Sequence, residues 1–343
     1  MGEAKQVALV VGASRGIGRQ IAIDLAKNGY AGTDASKTTP FPPNPNSQQS
    51  TISTVAREIH EAGGDATPIA VDVRDQDSVT RLVDQTIKVS TNPVLVFSLT
   101  PHPLTHPFHL FPQVTNTRSK RYGRLDVLVY NSGAIWWASV EDTPPKRFQL
   151  MQRVNPEGLY LTLHAALPHL KRRGRGRVVV VSPPIYSRFF RGKTAYAMGK
   201  VGMSVLTEGL AMDFVRQELD DMAITSIWPA VLMLMMVACQ GIESAATQKF
   251  QSANSDESKD LRKPTIFSDA VLAILRAPAR KVNGELVLDE DFLRDHAGVT
   301  DFSKYALVPG SQPRRIMPAE LPDLTVKEQD DEGKRYDSAK AKL

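Results

Sequence analysis

Two residues four positions apart, Tyr196 and Lys200, have side chains suited to moving a proton. They lie in "TAYAMGK", which is predicted to be helical, so the two side chains share one face. A phenol has an ordinary pKa near 10, too high for acid–base work at neutral pH. A neighbouring ammonium favours the phenolate and makes proton exchange with a carbonyl or hydroxyl feasible. Because such a pair is common on protein surfaces, a catalytic role can be inferred only from the other motifs in the chain.

A glycine-rich segment near the N-terminus has the composition of a phosphate-binding turn. "GASRGIG" directly follows the apolar run Val7–Val11 and opens an amphipathic helix. Glycine at position 12 permits a tight turn, Gly16 lets the backbone approach a pyrophosphate, and the helix N-terminus attracts the anion. A simple strand–helix turn is the alternative interpretation. We predict dinucleotide binding by Gly12, Ser14, Arg15, Gly16, Ile17 and Gly18.

Strand-like apolar runs alternate with helical segments along the chain. Strands are predicted at Val7–Val11, Thr67–Val71, Leu125–Val129, Val178–Val181, Ala223–Trp228 and Glu285–Leu288. Helices are predicted at Pro145–Leu170, Tyr196–Arg216 and Ser268–Arg276, among others. Strands that are apolar throughout indicate a parallel sheet covered on both faces. The predicted fold class is therefore α/β, a doubly wound parallel sheet of Rossmann type, in a single domain of residues 1–310 with a flexible tail at 311–343.

Composition excludes several classes of protein. With 42% hydrophobic residues among 343, the chain can bury a substantial core. The net charge of +5 is mild, and the basic run Lys171–Arg177 lies between a helix and a strand, so we predict a solvated turn and no nucleic-acid partner. The apolar run Trp228–Cys239 is too short for a membrane span. The single cysteine, Cys239, excludes an intramolecular disulfide and indicates a reducing compartment.

Some stretches fit the alternating pattern badly. Tyr30–Ser36 lies where the second strand is due, but its glycine, aspartate and threonine make a poor buried strand. Disordered insertions are predicted at 38–51, 89–119 and 232–241, and it stays open whether the last two belong to the natural protein. Prolines separate the three histidines of 89–119, and no cysteine or carboxylate completes a ligand set, so no metal site is predicted at His102, His106 and His109.

The motifs and their order resemble the short-chain dehydrogenase/reductase family. Its signposts occur in sequence as Gly12–Gly18, Asp72, Asn131-Ser132-Gly133, Asn155 and the Tyr196/Lys200 pair. The chain is similar in particular to the hydroxysteroid-dehydrogenase-like branch, through "VDVRD", "DTPPKRFQLMQRVN", "VSPP", "WP" and "YALVPG". The resemblance covers roughly residues 5–37, 55–88, 121–231 and 242–310.

The resemblance implies a role for each signpost. Tyr196 would exchange a proton with the substrate oxygen, Lys200 would hold the ribose, and Asn155 would complete a water-linked proton path to Lys200. Asp72 would contact the adenine. Without the resemblance, Asp72 reads as a helix cap and Asn155 as a satisfied polar residue. The cofactor pocket would be lined by Asn131, Ser132, Gly133 and Pro229.

The catalytic serine of the resembled family falls on Pro183 in this chain. Ser182 lies one position earlier, before Pro183 and Pro184, which fix the backbone and could turn its hydroxyl toward the substrate. Such a hydroxyl stabilises the reacting oxygen, and its loss raises the barrier by about 3 kcal/mol. Two interpretations stay open: Ser182 is catalytic, or it belongs to the structure of the strand end.

The end of the second strand bears on the choice of cofactor. An acid there binds a ribose 2′-hydroxyl, whereas a basic residue tolerates a 2′-phosphate. Ser36 occupies the position of the acid, Lys37 follows it, and Arg15 adds a second positive charge. We therefore predict NADP in preference to NAD.

The last three residues, Ala341-Lys342-Leu343, resemble the Ser-Lys-Leu peroxisomal address. This similarity predicts a peroxisomal location and an import receptor as partner, with a cytoplasmic location as the alternative. By analogy with the family we also expect a homo-oligomer.

Two hypotheses of function follow. The first is an NADP-dependent oxidoreductase of lipid metabolism that interconverts a hydroxyl and a carbonyl on a hydrophobic, fatty-acyl or steroid-like substrate. The tryptophans of Ile135–Ser139 either line its apolar pocket or pack in the core. The second is a nucleotide-binding or scaffold protein without useful turnover, favoured by the displaced serine, the weak second strand and the insertions.

Overall fold

The structure is a computed structural model that describes residues 5–36, 51–89, 123–231 and 257–324. The strands in these ranges are β1 Val7–Val11, β2 Ala31–Ser36, β3 Asp65–Ala70, β4 Val127–Tyr130, β5 Arg177–Val181, β6 Ala223–Trp228 and β7 Leu286–Leu288. The α-helices are α1 Gly16–Lys27, α2 Ile52–Glu61, α3 Gln76–Val89, α4 Pro145–Gln152, α5 Gly158–Lys171, α6 Thr194–Arg216, α7 Thr265–Arg276, α8 Ala279–Val282 and α9 Asp289–Ala297. Short 3₁₀ turns occur at Ser187–Phe190, Glu257–Asp260 and Ser303–Tyr305.

The strands form one parallel sheet in the order β3-β2-β1-β4-β5-β6-β7. This arrangement confirms the predicted doubly wound fold. The strand order reverses between β1 and β4, so the loops after these two strands leave in opposite directions. A crevice therefore opens beyond their carboxyl ends, which is where α/β sheets of this kind bind ligands.

Two apolar layers hold the helices against the sheet, and β1 contributes to both. Ala8 and Val10 pack into the layer under α1, α2 and α7. Leu9 and Val11 pack into the layer under α3 and α5. Side chains of a strand alternate between the two faces, so an apolar residue is required at every position of a doubly covered strand. This explains the unbroken run "VALVV".

The segment predicted to be a poor strand does form β2. It pairs in parallel with β1 on one side, in the register Val7↔Ala31, and with β3 on the other, in the register Ala31↔Asp65. Thr33 is buried between the layers. Strand propensity depends strongly on context, and backbone partners on both sides outweigh the unfavourable residue types.

The long helix predicted at Pro145–Leu170 is interrupted. A π-helical turn, Arg153–Glu157, separates α4 from α5 and contains Pro156. Proline has no N–H to donate to the helical ladder, and π-turns within helices are frequent at functional sites. Asn155 lies inside this turn and is buried.

The chain continues to pack against the domain beyond residue 310, where the sequence predicts a flexible tail. The N–H groups of Ile316 and Met317 donate to the Ala230 carbonyl at 3.0 and 3.2 Å. The Arg315 guanidinium donates to both carboxylate oxygens of Asp291 at 2.5 and 2.7 Å. Arg315 also donates to the Pro318 carbonyl at 2.8 Å. The packed domain therefore extends at least to Pro318, because these hydrogen bonds hold the segment in place.

Several predictions fall outside the described ranges. Of the predicted insertions, only the ends are described: Thr51 caps α2, and Val89 is the last residue of α3. Lys37, Cys239, the three histidines of 89–119 and Ala341-Lys342-Leu343 are not in the described part of the chain.

No helix within the described ranges is long and apolar enough to cross a membrane. The same ranges hold no group of three or more His, Cys, Asp or Glu side chains that could bind a metal ion.

Candidate active site

The glycine turn after β1 is built by close backbone contacts. Gly12 has a φ of 93°, a left-handed conformation that glycine adopts without strain. A Cβ on Gly18 would overlap the Gly12 carbonyl oxygen and lie 2.6 Å from Asn131 Nδ2. Asn131 Nδ2 in turn donates to the Gly12 carbonyl at 3.0 Å. The turn therefore lies directly against the loop that follows β4, as the predicted site requires.

Lys200, Asn155 and Gly133 meet at the carboxyl end of the sheet. The buried Lys200 Nζ donates to the Val181 carbonyl at 2.7 Å. A Cβ on Gly133 would lie 3.5 Å from Lys200 Nζ and 3.6 Å from Asn155 Oδ1. The residues Asn131, Ser132 and Gly133 thus join the glycine turn to the Lys200 ammonium.

The Asn155 side chain is fixed by the backbone of a single residue. Its Oδ1 accepts from the Ala134 N–H at 2.8 Å, and its Nδ2 donates to the Ala134 carbonyl at 3.1 Å. The π-turn presents Asn155 to this loop. Because both ends of the amide are held, its orientation is determined, and Asn155 is a positioned polar group.

Tyr196 lies in the first turn of α6, one helical turn before Lys200, and its side chain is buried. Aromatic rings from two other segments surround it. The Trp137 ring meets the Tyr196 ring edge-on with centroids 6.1 Å apart, and the Phe189 centroid is 6.2 Å away. Phe189 also packs edge-on against Trp228 at 5.6 Å. The tyrosine hydroxyl is therefore carried on a ring enclosed by apolar surface.

Ser182 follows β5 directly and is fully buried. Its carbonyl accepts a hydrogen bond from Ser226 Oγ at 2.7 Å, and the carbonyl of Pro183 accepts from Ser204 Oγ at 2.6 Å. The hydroxyl of Ser182 itself has no hydrogen-bond partner among the described residues. A buried hydroxyl without a partner is unusual in a folded protein, and unpaired groups of this kind occur at catalytic sites.

Asp72 and Pro229 flank this centre on opposite sides. Asp72 follows β3, the edge strand of the sheet. Its carboxylate accepts hydrogen bonds from the Arg74 guanidinium at 2.8 and 2.5 Å. Pro229 is buried after β6. The next N–H, that of Ala230, donates to Asp289 Oδ1 at 2.8 Å. Burial raises the pKa of Asp289 to about 7.

The glycine turn continues into α1. Arg15 is the N-cap residue of α1, in an extended conformation, and Ser14 precedes it. Gly16 and Ile17 begin the helix, so the N-terminus of α1 opens at the turn. Ser36 ends β2.

These residues fit a dinucleotide. A Cβ on Gly18 would overlap the Gly12 carbonyl, so glycine at this position lets α1 start directly against the turn, as in dinucleotide-binding folds. The helix N-terminus supplies positive potential for a pyrophosphate. The glycine turn, the N-terminus of α1 and the crevice that leads to Lys200 therefore have the features that a dinucleotide site requires.

Sequence reasoning missed part of the aromatic enclosure. It left the tryptophans of Ile135–Ser139 open between pocket and core and did not single out Phe189, Trp228 or Lys193. Phe189 and Trp228 lie in segments that are distant from each other in sequence, so no local pattern indicates that their two rings pack together. Lys193 had a signal, because Lys193, Tyr196 and Lys200 have the i, i+3, i+7 spacing of one helical face.

Comparisons with known proteins agree with this geometry. A family model described as short chain dehydrogenase matches residues 6–96 and 109–244. Hydroxysteroid dehydrogenase-like protein 2 of Mus musculus is 32% identical over 303 residues, which is 88% of this chain and 51% of that protein. The Homo sapiens protein of the same name is 32% identical over 307 residues, covering 88% of this chain and 60% of that protein. The chain spans only about half to three-fifths of these curated relatives.

Solved structures show the same fold. A short chain dehydrogenase from Mycobacterium thermoresistibile has a TM-score of 0.68 at 30% identity, over 89% of this chain and 92% of that chain. Actinorhodin polyketide ketoreductase, solved with NADPH, has a TM-score of 0.60 at 18% identity, over 83% of this chain and 95% of that chain.

Proposed function

The chain belongs to the short-chain dehydrogenase family, and from this membership we propose that it is an oxidoreductase acting on a hydroxyl/carbonyl pair. The observation that carries the proposal is the continuous contact from the glycine turn through Asn131–Gly133 to Lys200 and Asn155. A dinucleotide site and a proton-transfer site adjoin in this arrangement. A nucleotide-binding scaffold needs only the first of the two.

In the proposed reaction, Tyr196 gives its hydroxyl proton to the substrate oxygen during reduction and takes it back during oxidation. A nicotinamide cofactor held at the glycine turn and Asn131–Gly133 would supply or accept the hydride. The Lys200 ammonium, one turn away, favours the phenolate that Tyr196 forms. The hydrogen bond from Lys200 Nζ to the Val181 carbonyl fixes that charge. Asn155, held at both ends by Ala134, offers a rigid polar position beside it for a water-linked proton path.

We further propose NADP as the cofactor, with Arg15 and Lys37 receiving the 2′-phosphate. Arg15 is the N-cap residue of α1 at the glycine turn, and its charge supports this choice. Lys37 directly follows β2. Fluorescence titration with NADPH and NADH tests the preference, and equal affinities would contradict it.

The substrate we propose is hydrophobic, of fatty-acyl or steroid-like character. The rings of Trp137, Phe189 and Trp228 support it, because they form an apolar surface around the Tyr196 side chain. The names of the curated relatives agree with this class of substrate.

We also propose a homo-oligomer, as the family analogy predicts. The exposed face of α5 and α6 carries apolar side chains that suit pairing of helices, at Tyr160, Met198 and Val205. The peroxisomal location and the import receptor stay predictions from Ala341-Lys342-Leu343.

The test measures NADPH oxidation by the full chain with medium-chain and steroid ketones. Tyr196→Phe removes only the hydroxyl, and we expect the rate to fall by about 10²–10⁴-fold, as for loss of a general acid. NADPH affinity should change little. The matched control is Tyr30→Phe, because Tyr30 directly precedes β2, at the opposite end of the sheet from Tyr196. NADPH binding without oxidation of any ketone would instead support the scaffold hypothesis.

A further inference from the structure

The Lys193 ammonium lies against the same rings that enclose Tyr196. Its Nζ is 4.3 Å from the centroid of the Phe189 ring and 4.9 Å from that of the Trp137 ring. Both rings contact the Tyr196 ring directly. A positive charge is therefore held one ring away from the proposed proton donor.

Lys193 has no carboxylate partner in the described part of the chain, and its side chain is half-buried. Burial lowers the pKa of Lys193 from its ordinary value. A cation gains less from lying over aromatic rings than a buried charge gains from an anion with good hydrogen bonds. Lys193 is thus stabilised in place and is still able to bind a negative group.

The helix behind Lys193 favours the same kind of ligand. Lys193 is the N-cap residue of α6, a helix of 23 residues, and no side chain caps this end. The N-terminus of a helix carries about half a positive charge, which adds to that of the ammonium. Arg188 and Arg191 are exposed in the same loop and extend the positive potential outward.

We propose that Lys193 and the N-terminus of α6 bind a carboxylate head group of the substrate, while Tyr196 faces its carbonyl or hydroxyl. The proposal rests on the proposed oxidoreductase function and narrows its substrate class. The preferred substrates are then amphipathic oxo or hydroxy acids, with an apolar chain along the exposed ring of Trp137, and not neutral ketones or sterols.

A second basic surface on the molecule differs from the Lys193 site in the direction of the neighbouring helix dipoles. A cavity of about 790 Å³ at the opposite end of the sheet is lined by Lys5, Arg124, Arg173, Arg175 and Arg276, together with Asp126. This surface lies at the carboxyl ends of α1 and α7. The carboxyl end of a helix carries a partial negative charge, and the cations of the cavity complement that charge. The dipole opposes an anion there, whereas at Lys193 it assists one.

The experiment compares oxo acids with their methyl esters. The substrates are 4-oxo-, 6-oxo- and 8-oxodecanoic acid and the three esters, so that the carbonyl position scans the distance to the head group. We expect the wild type to have at least a tenfold higher kcat/KM for its best acid than for the matching ester. Lys193→Met should lower this acid-to-ester ratio by about 10–100-fold, the value of one charged hydrogen bond, mainly through KM. Lys193→Arg should recover most of it.

The control is Lys281→Met, because Lys281 is an exposed lysine on the short helix α8, outside the site, and the ratio should not change. Calorimetric titration with decanoate and with decanol gives a readout independent of turnover: only decanoate should lose affinity in Lys193→Met. An equal loss for acid and ester would overturn the proposal, because Lys193 would then only support the two rings. If the wild type reduces no substrate, the proposed oxidoreductase function fails, while selective loss of decanoate binding still supports the head-group site.

Discussion

Because the Ser182 hydroxyl has no hydrogen-bond partner among the described residues, one substitution can test its role in catalysis without a large change in the stability of the fold. Ser182→Ala removes an oxygen that is fully buried and that donates no hydrogen bond within the described chain. In most buried serines the same change breaks a bond and lowers stability. At this position the folded protein loses no bond, so any large effect must arise when a ligand is present.

The expected magnitudes differ sharply between the two properties. The free energy of unfolding should change by less than about 1 kcal/mol, because no partner is left unsatisfied. If the hydroxyl stabilises the reacting oxygen, kcat should fall by about 10²–10³-fold, as when one donor to a developing oxyanion is removed. Ser226→Ala is the matched control, since Ser226 Oγ donates to the Ser182 carbonyl at 2.7 Å. It should cost about 1–2 kcal/mol of stability.

The assay combines urea unfolding of the three proteins with initial rates on the best ketone found for the wild type. Two results refute the reasoning. A kcat within threefold of wild type for Ser182→Ala would assign the serine to the strand end alone. Destabilisation of Ser182→Ala equal to that of Ser226→Ala would show that its hydroxyl has a structural partner in the folded protein.

Two further predictions concern stability and the cofactor turn. Burial raises the pKa of Asp289 from 3.8 to about 7, so the folded protein keeps a proton that the unfolded chain releases, and stability is lost as the pH rises through this window. Asp289→Asn keeps an oxygen for the Ala230 N–H and should be more stable than wild type at pH 8 by on the order of 3 kcal/mol. Urea unfolding should show this difference in stability disappearing below pH 4. A difference that does not change with pH would contradict the raised pKa of Asp289. Gly18→Ala places a methyl group against the Gly12 carbonyl and Asn131, so NADPH titration should show at least a tenfold loss of affinity, and wild-type affinity would exclude this turn as the cofactor site.

The bounds of a strand could be predicted from the sequence most accurately where the residues of that strand are themselves mostly apolar and must be buried. The bounds of β1 and β6 agree with the structure: β1 is apolar throughout, β6 interrupts its apolar residues only with the small Thr225 and Ser226, and both strands are buried on two faces. β2 is different, since its residues are poor strand formers and its conformation comes from pairing with β1 and β3. Pairing of this kind is a property of the whole sheet, which a local segment does not reveal.

The same distinction applies to the site. The glycine turn, Asn155 and the Tyr196/Lys200 pair were predicted, because each has a residue type that its chemistry requires at a fixed place in the chain order. The complete aromatic enclosure was not, because Trp137 comes from a loop, Phe189 from a 3₁₀ turn and Trp228 from the end of β6, and any large apolar residue can serve at these places. Nor was the π-turn at Arg153–Glu157, since Pro156 alone does not tell a kink from a helix end.

The position of α6 links recognition of the substrate to its chemistry. Lys193 is the N-cap residue of α6, and Tyr196 and Lys200 lie one turn apart within the same helix. A helix is rigid over two turns, so the distances between the head-group site, the proton donor and the ammonium are set by the backbone. The Lys200 bond to the Val181 carbonyl anchors this face to the end of β5, beside Ser182. A substrate held at both Lys193 and Tyr196 must therefore have its carboxylate and carbonyl at a matching separation, so under this proposal we expect the spacing of the two groups, as well as hydrophobicity, to determine which molecules react.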